Sequence, residues 1–143
     1  MTEHIDLNEL EEGHYGFPGP LRDKLVAAIL SGKKTGTSYL LYECEMDDET
    51  LPAVGDREAV LDSAGNRVCA TENTEVTIVP FGQIDLQQAL DEGEGFETVV
   101  DWQEAHREFW ESEPFRASKG QHFQEITDGT EVVYVCFKVI ARA

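Results

Sequence analysis

Leu21, Leu25, Ala28 and Ile29 recur at a period of 3.6, and Val26 and Leu30 widen the stripe, which predicts an amphipathic helix. Phe17-Pro18-Gly19-Pro20 supplies the turn and the first-turn proline that start it, and Gly32 supplies the left-handed residue that ends it. Residues 38–44 are apolar or aromatic at both alternating sets of positions, the pattern of a strand covered on both faces. Residues 45–50 form an acidic loop. Residues 57–62 read as a strand that leads through Ser63-Ala64-Gly65-Asn66 into a long extended run, 67–81, where Glu72-Asn73-Thr74 marks a bulge. Asp85 is placed to cap a short helix that Gly93 closes. Val99, Trp102, Ala105, His106 and Phe109 then repeat helically up to about Trp110. Residues 114–118 read as a break. Residues 122–126 and 131–140 flank Asp128-Gly129, a hairpin signal, and the second of these runs is apolar enough for a central strand.

Residues 1–16 form a polar lead-in, with Leu7 and Leu10 spaced for a short helix, and residues 17–143 form one domain. The order of elements implies an α+β fold: a bent, largely antiparallel sheet or small β-barrel flanked by helices.

Charge changes this picture most. Eleven basic residues stand against 29 acidic ones, a net charge of −18, and residues 68–106 contain no Lys or Arg. Broad, sequence-independent nucleic-acid binding depends on cations that neutralise phosphates, so this balance argues against it. Nucleic acid is then left only a local patch, which requires Lys33, Lys34, Arg116 and Lys119 to converge. No apolar run approaches the roughly 20 residues of a membrane span, and the acidic start of the chain does not resemble a signal peptide. A cytoplasmic location is expected, with no membrane partner. Cys44, Cys69 and Cys136 are widely spaced, include no CxxC pair, and suit reduced core thiols. No His/Cys/Asp spacing suggests a metal, and no cofactor is expected.

Gly32-Lys33-Lys34-Thr35-Gly36-Thr37 matches the pattern GxKxxT. Pro52-Ala53-Val54-Gly55-Asp56 follows as a turn, residues 76–81 lead into Ala89-Leu90-Asp91-Glu92-Gly93, and Trp102, His106 and Phe109 form a W…H..F series. In this order, over roughly residues 17–141, the chain resembles the ASCH domain, a branch of the PUA-like superfamily, and in particular its bacterial single-domain members. The resemblance implies a PUA-like β-barrel with a cleft at the helix-to-strand junction and work on RNA or nucleosides. Some small members are amidohydrolases of N4-acylated cytidine, and a ribonuclease activity has been proposed for others. The Lys, Thr and downstream Glu of the amidohydrolases carry over to Lys34, Thr37 and Glu92, with Glu94 two residues away. Those enzymes are shorter and carry a basic residue soon after the motif threonine, where this chain has Ser38 and Tyr39.

The chemistry follows from residue types. A threonine hydroxyl becomes a nucleophile only when a neighbour takes its proton. A lysine can do so when burial or a second cation favours its neutral form, and Lys33 beside Lys34 supplies such a cation. Glu92 would move a proton to the departing amine or from water, and backbone N–H groups around Thr35–Thr37 would hold the oxyanion. Tyr39 or Trp110 can stack on a base. Lys33, Thr35, Tyr39 and Trp102 are candidate ligand contacts, together with His106, Arg116 and Lys119. Each has a structural alternative: a C-terminal lysine pair for the helix dipole, a turn-capping threonine, a solvated helix-end carboxylate, an aromatic core. Three functions remain open on this basis: a nucleoside or nucleobase pocket with amidohydrolase chemistry, a non-catalytic RNA-binding module in RNA processing or translation regulation, and an interaction domain that has lost the chemistry.

Overall fold

The computed structural model describes residues 4–46 and 51–143. Most of the acidic loop expected at residues 45–50 therefore lies outside the described residues. In chain order the elements are β1 (Glu11–Gly13), α1 (Pro20–Ser31), β2 (Gly36–Leu40), α2 (Leu41–Met46), β3 (Arg57–Leu61), β4 (Arg67–Pro80), α3 (Leu86–Asp91), α4 (Val99–Trp110), α5 (Glu113–Lys119) and β5 (Glu131–Arg142). The five strands form one sheet in the order β1-β3-β4-β5-β2, with every pairing antiparallel except β1 with β3.

The α+β class stands, but the sheet is open. Its edges are β1 and β2, which do not pair with each other, so the barrel implied by the resemblance is not closed. Helix α1 connects those edges and buries Leu25, Val26 and Ile29 against Val60, Cys69 and Phe137. Its Arg22 is also buried, donating to the carbonyls of Tyr15 and Gly16. The second core cluster gathers Leu40, Phe81, Ala89, Trp102, Trp110, Phe115 and Val132 where α3, α4 and α5 cover the sheet. Strand β5 is buried at four successive positions, Val132 to Val135, as expected of a central strand. The expected bulge in β4 is present: Asn73 pairs with Phe137 and Glu75 with Cys136, which leaves Thr74 over.

Four local expectations are corrected. The strand expected over residues 38–44 begins at Gly36 and gives way to α2 at Leu41. Its partner runs out there, because Leu40 faces Val132 and β5 starts at Glu131. Residues 122–126 are not a strand, since β5 is already flanked by β4 and β2 and has no edge left for a hairpin. Asp128-Gly129 instead sits in a turn closed by Thr130 N–H donating to the Thr127 carbonyl at 3.1 Å. The expected break at residues 114–118 is helix α5, which Ser112 caps and in which Pro114 occupies the first turn, where its missing N–H costs nothing. The lead-in contains a single 3-10 turn at Leu7–Glu9 and then β1 in place of a short helix.

Helix α3 carries the site's carboxylate at its end, and its start is built as expected. The Asp85 carboxylate accepts from Gln88 N at 2.8 Å while the Gln88 side chain accepts from Asp85 N at 3.0 Å, a reciprocal capping box. Asp85→Ala is expected to cost about 1 kcal/mol, or roughly 3 °C in melting temperature. Thermal unfolding followed by circular dichroism measures this, and an unchanged melting point would show that the cap contributes nothing to the fold.

Candidate functional site

The GKKTGT stretch is where α1 ends and edge strand β2 begins. Gly32 adopts the left-handed conformation (φ 84°) that ends the helix. The chain then turns back: Lys34 N–H donates to the Ala28 carbonyl at 3.0 Å, and Thr35 N–H to the Asp91 carbonyl at 2.7 Å. The first bond ties the turn to α1 and the second ties it to the end of α3. Gly36 admits Tyr134 closely, since a Cβ there would lie 2.8 Å from the phenol oxygen, and that phenol donates to Asp91 at 2.6 Å. These contacts bring Lys34 to Glu92 across 58 residues of sequence.

The two lysines part company here. Lys33 is exposed, as a lysine at a helix C-terminus usually is, whereas Lys34 is 3% exposed. Lys34 Nζ donates to the Gly36 carbonyl at 2.8 Å and to the Glu92 carbonyl at 3.4 Å, and stands 3.6 Å from the carboxylates of both Glu92 and Glu94. Glu92 is 1% exposed and fully engaged. Its Oε2 accepts from the Trp102 indole N–H and from Ser38 Oγ, and His106 Nε2 lies 3.2 Å from the same oxygen and 3.3 Å from Oε1. His106 Nδ1 lies 2.9 Å from the Trp102 carbonyl, which can only accept, so Nδ1 carries hydrogen. Nε2 then faces the carboxylate. The Trp102 and His106 rings stack at 4.0 Å, one helical turn apart on α4.

Environment pushes the two carboxyls in opposite directions. Burial alone would raise Glu92, but His106, Lys34 and Trp102 together outweigh it and hold the group below the ordinary carboxylate value. Burial raises Glu94 and the neighbouring Glu92 adds to this, with Lys34 and His106 offsetting only part. Glu92, Glu94 and His106 each bring one ligand atom within 4.8 Å of the others, a spacing a divalent cation could use. Lys34 Nζ lies 3.6 Å from both carboxylates, so the chain's own ammonium supplies the positive charge there.

Lys34, Glu92, Glu94 and His106 all line a cavity of about 410 Å³, within the usual range for small-molecule sites. Lys34, Thr37, Ser38, Tyr39, Glu92, Glu94 and His106 line it together with the apolar Phe17, Leu21, Phe96, Phe109 and Phe115. Among the described residues nothing hydrogen-bonds the Thr37 side chain. Of the positions singled out in the sequence, Lys34, Thr37, Glu92, Tyr39, His106 and Lys119 therefore converge on one cavity. Trp102 lies outside the lining, fully buried, and holds Glu92 from behind. Lys33, Thr35 and Arg116 also lie outside the lining: Thr35 is exposed beside Asp91, and the Arg116 guanidinium sits 4.5 Å over Phe123. Thr35 N–H, one of the backbone donors expected around the motif, is already used by the Asp91 carbonyl. Ser38, Glu43 and Phe96 were not anticipated. Only Ser38 had a local signal, its place next to the motif threonine.

The four lysine and arginine residues considered for phosphate contact do not form a free stripe. Lys34 is enclosed by two carboxylates, and Lys119 pairs with Glu43 at 2.7 Å. These pairings leave both cavity cations already neutralised.

Comparison with known proteins agrees with this construction. Protein EF3133 from Enterococcus faecalis V583 superposes with a TM-score of 0.80 at 23% identity, covering 96% of this chain and 80% of that one. An ASCH domain from Lactobacillus crispatus superposes with a TM-score of 0.75 at 27% identity, covering 92% and 81% of the two chains. A single-substitution mutant of the ASCH protein from Zymomonas mobilis shares the fold more distantly, with a TM-score of 0.53 at 14% identity over 92% and 72%. No protein of curated function matches the sequence. The ASCH domain family matches residues 14–141, a span that holds the lysine, the threonine, both carboxylates and the helix that supports them, and the chain belongs to that family.

Proposed function

We propose that the cavity binds a nucleoside, a nucleobase or an RNA-derived ligand and hydrolyses the amide of an N4-acylated cytidine, with Thr37 as nucleophile. The observation that carries this reading is the buried Lys34, held between Glu92 and Glu94 and lining the same cavity as Thr37. This lysine stands 3.6 Å from two carboxylates, and it lines the same cavity as a hydroxyl with no hydrogen-bond partner among the described residues. Tyr39, Phe96 and Phe109 supply flat apolar surface for a base. The paired state of Lys34 and Lys119, together with the net charge of −18, favours a small uncharged ligand over a polyanion.

Incubation with N4-acetylcytidine followed by liquid chromatography tests the proposal. Release of cytidine is expected from the wild type, and a loss on the order of 10³-fold or more from Thr37→Ala. Thr37 lines the cavity and has no hydrogen-bond partner among the described residues, so this variant should melt within about 1 kcal/mol of the parent. No turnover by folded wild type rejects the reaction. RNA binding that weakens steeply with salt would then favour the non-catalytic module.

A further inference from the structure

We propose that Glu94 is the carboxyl that exchanges protons with the substrate, while Glu92 is a positioning residue for Lys34 and His106. This rests on the amidohydrolase reading of the same cavity. The two carboxylates are two residues apart and both meet Lys34 Nζ at 3.6 Å, but they are bound very differently. Glu92 is enclosed: Trp102, Ser38, His106 and Lys34 occupy both of its oxygens, and its side chain is 2% exposed. A substrate atom has no open oxygen to approach. Glu94 lines the cavity with its side chain 17% exposed, and Lys34 is the one side chain bonded to it among the described residues. It follows Gly93 and precedes Gly95, both in the left-handed region at φ 63° and 87°, which turn the chain so that the carboxyl reaches the cavity.

The groups that face Glu94 are Lys34 from the turn before β2, Glu92 from the end of α3 and His106 from α4; His14, Tyr15, Tyr39, Glu43 and Lys119 complete the titratable lining. Burial leaves Glu94 easier to protonate than an ordinary carboxyl in spite of Lys34 and His106, whereas at Glu92 His106, Lys34 and Trp102 outweigh burial and leave it harder to protonate. Two carboxyls pushed apart in this way divide into an acid–base group and a fixed anion.

The proton path balances. Lys34 gives a proton to the Glu94 carboxylate and takes the Thr37 Oγ proton as Oγ bonds to the acyl carbon. Glu94 passes its proton to the exocyclic nitrogen as the C–N bond breaks, which releases the free amine and leaves an ester on Thr37. In the second half Glu94 takes a proton from water as the water oxygen bonds to the acyl carbon. That proton goes to Thr37 Oγ as the ester C–O bond breaks, which releases the carboxylic acid.

Three variants and one titration test the assignment. Glu94→Gln should lower kcat for N4-acetylcytidine at least 100-fold with an unchanged or higher melting temperature. Glu94→Asp should recover part of the rate and keep a titrating limb in the pH–rate profile, which Glu94→Gln should lack. Glu92→Gln should lose several degrees of melting temperature, because a neutral amide replaces the anion that Lys34, His106 and Trp102 are arranged around. Carboxyl carbon NMR on the ligand-free protein should show Glu94 titrating at higher pH than Glu92. Wild-type turnover with Glu94→Gln within threefold of it overturns the assignment and leaves the enzyme reading intact, as does the reverse order of titration. Folded wild type without turnover overturns both.

Discussion

Lys34→Met is expected to melt roughly 10 °C below the parent at pH 7.5 and to hydrolyse no N4-acetylcytidine. Methionine is close to lysine in length and fills the same space, so little packing is lost. What is lost is, among the described residues, the only lysine or arginine held within 3.6 Å of both carboxylates, in a place where the lysine side chain is 1% exposed and that of Glu92 2%. Removing one partner of a buried pair costs about 3 kcal/mol or more, which corresponds to the stated shift for a domain of this size. The Nζ–H donated to the Gly36 carbonyl also disappears, so the start of β2 loses a tie.

The pH dependence separates charge from packing in this variant. In the wild type Glu92 is held below its ordinary value, so its contribution to stability is complete above about pH 4.3 and is lost only as pH falls through the lower folded value. Without Lys34 both carboxyls move upward, Glu94 from a position already raised by burial. The folded variant then binds protons more readily than its unfolded chain, and its stability rises as pH falls from 7.5 to 5. The gap to the parent should narrow by about a third or more over that range. A gap of constant size would mean that the ammonium was a space-filling group and that the electrostatic account of the cluster is wrong.

Much of the frame was legible because its signals are local. Pro20 and Gly32 bound α1, Asp85 starts α3, the helical repeat from Val99 to Trp110 is α4, and the apolar run at β5 is buried at four successive positions. The errors came where a partner decides. Residues 41–44 carry a strand-like composition, yet they coil into the start of α2 because β5 has no residue left to pair with them. Pro114 reads as a break until Ser112 is seen capping the helix that contains it. The site was legible as residue types and illegible as an arrangement. Lys33 and Lys34 are chemically equal neighbours, and it is the turn tied by Lys34 N–H to Ala28 and by Thr35 N–H to Asp91 that buries one and leaves the other in water. Among 29 acids the resemblance pointed to Glu92, with Glu94 two residues away, but nothing in the sequence tells which is enclosed and which is open; a glycine follows each of them.

Those glycines supply the second large prediction. Gly93→Ala is expected to destabilise the protein by about 3 kcal/mol or more, the sum of a left-handed alanine and an overpacked contact. Gly93 has φ 63°, and a Cβ there would lie 2.3 Å from the Lys33 carbonyl oxygen and 2.5 Å from Lys34 N. Both are backbone atoms, fixed by the bonds of Lys34 N–H to Ala28 and of Thr35 N–H to Asp91, so no side chain can swing aside. The GKKT turn and the end of α3 must separate, and that separation draws Lys34 away from Glu92 and Glu94. Gly95→Ala provides the matched control. Its φ of 87° is equally unfavourable for alanine, but nothing lies within 4 Å of the added Cβ. It should cost only the conformational term, about 1 kcal/mol. Urea unfolding of the two variants therefore measures the close approach itself. If they lose stability equally, the glycine serves only its backbone conformation, and the two halves of the site have room to spare. If Gly93→Ala loses about 2 kcal/mol more and cytidine release falls with it, the two-residue carboxylate pair is set by a backbone-to-backbone contact that only glycine permits.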